Sequence, residues 1–149
     1  MDTELELILA RARDEPDDVE ARIAAAYGLD RVGREEEAIA HYDAAWRLGV
    51  PSDRRRRFLV GYGSTLRNVG RVEESVAVLG DASNADPRYP AYKAFLALAL
   101  HSSGERAAAL ATMLDALLDV ADGASLDGYE RALADYQREL LDLAVAGRR

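Results

Sequence analysis

The chain has 149 residues, of which 49% are hydrophobic and 31% charged, and its 27 acidic against 19 basic side chains give a formal net charge of −8. The length suits one ordinary domain, and the apolar share is too large for a disordered chain. The absence of cysteine excludes disulfides, thiolate catalysis and cysteine-ligated metal, and the acidic balance argues against nucleic acid and anionic membranes as partners.

The amino terminus, Met1-Asp2-Thr3-Glu4, lacks the basic start and apolar core of a signal peptide, so a cytoplasmic protein is expected. The first predicted helix, 3–13, carries Leu5, Ile8, Leu9 and Ala12 on one side. Helices follow at 18–31 and 34–48, the latter with the stripe Ile39, Tyr42 and Trp46. A loop through Gly49-Val50-Pro51-Ser52-Asp53 leads to a helix over 53–68, with Asp53 as its expected cap and Phe58, Tyr62, Leu66 and Val69 as its stripe. Further helices are predicted at 72–82, 90–101 and 105–120. The longest strongly apolar stretch, 94–100, is too short to span a bilayer. A last helix, 126–146, is expected to start from a Ser125 or Asp127 cap. Pro16, Pro51, Pro87 and Pro90 all stand where a helical pattern stops. Apolar residues recur at three and four rather than two, so the chain is all-α, with about eight helices and no strand.

Three glycines, Gly33, Gly70 and Gly104, each end one helix just before the next, where positive φ is needed. A small residue stands five positions past each: Ala38, Ser75 and Ala109. A large apolar residue stands nine past: Tyr42, Leu79 and Met113. A second small residue stands twelve past: Ala45, Ala82 and Ala116. Small positions let paired helices approach, and the large side chain is expected to fill the seam.

In this pattern the chain resembles the tetratricopeptide repeat family, whose unit is a 34-residue helix-turn-helix pair. The first unit matches through Gly33, Ala38, Tyr42, Ala45 and nearby Pro51. The second matches through Leu59, Gly63, Leu66, Gly70, Ser75, Ala82 and Pro87, and the third through Leu96, Ala97, Leu100, Gly104, Ala109 and Ala116. Ala25-Ala26 replaces the usual Leu-Gly of the first unit. The resemblance implies a right-handed α–α superhelix of stacked antiparallel helix pairs, as in a small bacterial-type member. Residues 1–149 then form one domain: a capping helix over 1–17, three pairs over 18–122 and a capping helix over 123–149. Helix 8 is expected to cover the last pair with Tyr129, Leu133, Tyr136 and Leu140.

The resemblance also implies that the first helix of each pair lines a concave face. That face takes Glu20, Ile23, Tyr27, Asp30 and Arg31 from helix 2. It takes Arg57, Val60, Ser64, Arg67 and Asn68 from helix 4, and Ala91, Ala94, Leu98, His101 and Ser102 from helix 6. The candidate binding residues are Tyr27, Asp30, Arg57, Ser64, Arg67, Asn68, Leu98 and His101. They combine an aromatic surface, arginine forks and hydrogen-bonding groups, which suits a protein or peptide with an acidic segment. Some family members grip a C-terminal carboxylate with paired lysines and asparagines. This chain has one lysine, Lys93, and that specificity is not transferred. The alternative is a structural or self-associating scaffold, a homo-oligomer joined through outer or capping helices around Leu141, Leu143 and Val145.

Other features carry blander readings. The Arg54–Arg57 run reads as a solvated turn, with an acidic partner or an intersubunit contact as the alternative and nucleic acid behind it. Trp46 reads as packing between repeats, and His41 as solvated. His101 lies near a helix end that favours its protonated form. The two histidines are far apart, so no metal or other cofactor is expected. Gly61-Tyr62-Gly63-Ser64 lacks the strand and the second glycine of a nucleophile turn, and no phosphate-binding loop or His-Glu-x-x-His motif occurs. A non-catalytic interaction module is therefore expected.

Overall fold

A computed structural model describes residues 2–147, all-α in character, with eight helices and no strand among them. The helices are α1 (Thr3–Asp14), α2 (Val19–Arg31), α3 (Glu35–Leu48), α4 (Arg55–Asn68), α5 (Val72–Ala85), α6 (Ala91–Ser102), α7 (Arg106–Val120) and α8 (Glu130–Ala146). They fall into two compact units, one ending at Arg71 and the other beginning at Val72. No helix among the described residues is long and apolar enough to cross a membrane.

The three glycine turns share one geometry. Gly33, Gly70 and Gly104 have φ of 77°, 87° and 86°. At the first, the Gly33 amide donates to the Asp30 carbonyl (3.0 Å) and the Arg34 amide to the Leu29 carbonyl (2.9 Å). The same pair of bonds recurs from Gly70 and Arg71 to Arg67 and Leu66, and from Gly104 and Glu105 to His101 and Leu100. This is the Schellman closure, which satisfies the last carbonyls of one helix while turning the chain into the next.

In the first unit, α1 packs on α2, α2 on α3, and α4 against both α3 and α2. Ile8, Leu9 and Ala12 of α1 close over Ala21 and Ala25. Asp18 caps α2 by accepting from the Glu20 amide at 2.9 Å. The centre is aromatic. The Tyr42 ring meets Phe58 edge-on at 5.4 Å and stacks on Tyr62 at 5.8 Å, and Trp46 stacks on Phe58 at 6.1 Å. Trp46 thus packs α3 on α4 with one face and remains 40% exposed.

In the second unit, α5 packs on α6, α6 on α7 and α7 on α8. Its interior mixes small and large residues: Leu100 sits with Ala108 and Ala109, closed by Val76, Leu96 and Ala144, and Leu79 and Tyr92 are buried as well. Lys93 of α6 reaches Asp115 at 2.9 Å and Asp119 at 2.6 Å on α7.

The small repeat positions Ala38, Ser75, Ala109, Ala45, Ala82 and Ala116 are all buried, as are Tyr42 and Leu79. Met113 departs from that register, being 38% exposed. Around it stand Pro90, just before α6, and Ala91 and Ala94 on α6, which are too small to close over it. Helix α4 begins at Arg55 without a side-chain cap, because 52–54 form a turn in which the Arg54 amide donates to the Pro51 carbonyl. Asp53 therefore does not cap it. Helix α8 starts at Glu130, later than expected, with no cap from Ser125 or Asp127. Asp122 instead takes the Ser125 amide at 2.7 Å, and Asp127 has a positive φ of 52°, so 122–128 is a turn. Tyr129 and Tyr136 are exposed rather than packed, because α8 turns Leu133, Leu140 and Ala144 inward instead.

Candidate functional site

The first unit contains a recess of about 500 Å³ lined by Tyr27, Asp30, Arg31, Tyr42, Arg57, Val60 and Gly61. Helical spacing explains the set. Tyr27, Asp30 and Arg31 lie three and four apart on α2, and Arg57, Val60 and Gly61 do so on α4. Tyr42 forms the floor from α3. Its hydroxyl donates to Asp30 Oδ2 at 2.9 Å, and Thr65 Oγ1 donates to the same oxygen at 3.4 Å. Burial and the neighbouring Asp30 carboxylate push the Tyr42 phenol far above its ordinary range, so it remains a neutral donor. Asp30 therefore ties three helices together while one edge of it faces the recess.

Tyr27 forms the wall. Its hydroxyl is buried and has no protein hydrogen-bond partner. The Arg57 guanidinium carbon lies 5.0 Å from the centre of its ring. Burial raises the Tyr27 phenol, with Arg57 and Arg54 opposing, and the group stays protonated at neutral pH. A buried donor without a partner costs about 1–3 kcal/mol, which an incoming acceptor would recover.

Of the sequence-derived candidates, Tyr27, Asp30 and Arg57 meet in this recess. Ser64 and Arg67 lie half-buried further along α4, and Arg67 Nε is buried without a protein partner. Asn68 is engaged elsewhere, donating to Glu35 Oε1 at 2.9 Å. Leu98 and His101 are exposed on α6, in the second unit. Ile23 is fully buried and offers no surface. Arg31 and Val60 were legible as positions on the inner faces of α2 and α4, and Gly61 was not. Neither was Tyr42, because it comes from the second helix of a pair.

In the arginine run Arg55, Arg56 and Arg57 are exposed and Arg54 is partly buried. Arg54 bonds Glu20 of α2 at 2.5 Å, Arg55 Nε donates to the Val50 carbonyl at 3.0 Å, and Arg57 covers Tyr27. These contacts fasten the start of α4, where cations oppose the helix dipole. His41 is half-buried rather than solvated, with Nδ1 3.2 Å from Arg22. Burial and Arg22 lower its pKa from 6.5. Among the described residues, no group of three or more His, Asp or Glu side chains is placed to hold a metal.

Residues 19–140, most of the chain, match the tetratrico peptide repeat family. The chain belongs to the tetratricopeptide repeat family. The match takes in the three Schellman turns and helices α2 to α7. Tetratricopeptide repeats form a non-catalytic scaffold class whose general role is protein–protein interaction. No curated protein matches the chain.

Proposed function

We propose that this tetratricopeptide repeat protein holds an acidic peptide segment of a partner protein in the α2/α4 recess. On this reading the chain carries three repeat units, in register at Gly33, Gly70 and Gly104, with α1 and α8 as caps. The observation that carries the proposal is the buried Tyr27 hydroxyl, left without a protein acceptor beside the Arg57 guanidinium. A carboxylate entering there accepts from Tyr27 and pairs with Arg57 or Arg31, while Val60 and the Tyr27 and Tyr42 rings provide apolar walls. Charge-assisted bonds in a partly dry recess exceed those of an open surface pair.

Affinity capture with the wild-type chain beside Tyr27→Phe and Arg57→Ala tests this. Tyr27→Phe keeps the ring and removes only the orphan hydroxyl, so thermal stability holds or rises. The expected result is a captured partner that both variants lose by about tenfold, a loss of ~1.4 kcal/mol. Equal capture by all three proteins, with folding verified by circular dichroism, removes the recess from consideration.

A further inference from the structure

The charges around the α2/α4 recess leave a small positive surplus. Arg31 and Arg57 each bring a guanidinium to its lining, and Asp30 brings a carboxylate. Arg54 and Glu20 also act on Tyr27, but they neutralise each other through their 2.5 Å ion pair. Arg57 spends its charge on the Tyr27 ring, and Arg31 is exposed. Two cations against one anion leave one positive charge over.

Asp30 is a fixed part of this balance. Its Oδ2 accepts from the Tyr42 hydroxyl at 2.9 Å and from Thr65 Oγ1 at 3.4 Å, which ties the carboxylate to α3 and α4. An incoming anion therefore meets the Tyr27 hydroxyl and the two arginines in the presence of a held negative charge. A carboxylate brings one negative charge and cancels the surplus. A phosphomonoester brings about −1.5 to −2 at pH 7. It exceeds the surplus and is repelled by Asp30, in a partly enclosed space where like charges are poorly screened.

Resting on the reading of this recess as an acidic-peptide site, we propose that Asp30 makes it a charge filter. The recess accepts a side-chain carboxylate and rejects a phosphoserine or phosphothreonine in the same place. Phosphorylation of a partner within the seated segment then acts as a release signal.

An array of nonapeptides tests the filter. The central residue is Glu, Gln or phosphoserine, and the flanks are varied apolar residues suited to Val60 and the two tyrosine rings. At pH 7.5 the labelled wild-type chain should bind glutamate peptides at least tenfold more tightly than their phosphoserine counterparts. Asp30→Asn keeps an oxygen for the Tyr42 hydroxyl and removes the negative charge. With helicity unchanged, that variant should bring the ratio to about twofold or reverse it. A second arm needs no variant. At pH 5.5 phosphoserine is mostly a monoanion, so its affinity for the wild-type chain should rise several-fold while glutamate peptides hold theirs. Phosphoserine peptides that bind as well as glutamate peptides at pH 7.5, or a ratio unmoved by Asp30→Asn and by pH, overturn the filter and leave the carboxylate site standing. Glutamate and glutamine peptides bound alike, or no peptide bound, overturn the carboxylate site and the filter together.

Discussion

Single side chains decide more here than their surface positions suggest. Asp43 accepts from Tyr62 at 2.6 Å and from Arg71 at 2.8 Å. Burial alone would raise its carboxyl, yet the bonds from Arg71 and Tyr62 outweigh it and hold the group below the ordinary carboxylate range. His41 works in the opposite sense. Burial and Arg22 depress its pKa below 6.5, so the folded chain resists a proton that the unfolded chain accepts. Its contribution is intact above pH 6.5 and is lost as the pH falls through the depressed folded value. Urea melts in steps from pH 7.5 to 5 should show stability falling below pH 6.5. His41→Gln should flatten that fall, and an unchanged slope in the variant would exonerate His41. Neither role was legible beforehand. His41 stands beside Tyr42 at a position that reads as solvent-facing, and Arg22 approaches it from α2.

At the scale of the helix, glycines separate packing from propensity. In α4, a Cβ at Gly61 would lie 2.6 Å from the Tyr42 hydroxyl oxygen. That hydroxyl is held by Asp30, so it cannot yield cheaply. Gly61→Ala should destabilise by about 1–3 kcal/mol despite the better helix former. In α5, a Cβ at Gly80 meets nothing within 4 Å. Gly80→Ala should stabilise by about 0.5–1 kcal/mol. Thermal melts of the two variants should move in opposite directions, and a shared sign would mean that the α4 contact with Tyr42 has been misjudged. Helix positions and glycine turns were readable because apolar spacing and positive-φ glycine are local signals. The start of α8 was not, because the Asp122–Ser125 bond competes with capping by Ser125 or Asp127 and delays the helix. Met113 was misplaced for a different reason. Repeat register assigns it to a seam, but Ala91 and Ala94 across from it are too small to make one.

For the molecule as a whole, an acidic chain of net charge −8 places arginines 31 and 57 around an aromatic recess. Long-range charge therefore repels an acidic partner while the local cations attract it, so binding depends on the fit at the recess more than on steering. Of the eight candidate residues three, Tyr27, Asp30 and Arg57, meet in the recess, since they fall on the facing sides of α2 and α4. The rest dispersed for reasons that periodicity does not encode: Asn68 is taken by Glu35, and Ile23 is drawn into the core. The most direct test of the recess is site-specific photo-crosslinking from Val60, with a second probe at Ala77 on the exposed side of α5. A partner adduct that forms from position 60, not from position 77, and disappears when Arg57 is also changed to alanine is the predicted result. Adducts from position 77 alone, or adducts from position 60 that persist without the Arg57 guanidinium, would contradict it.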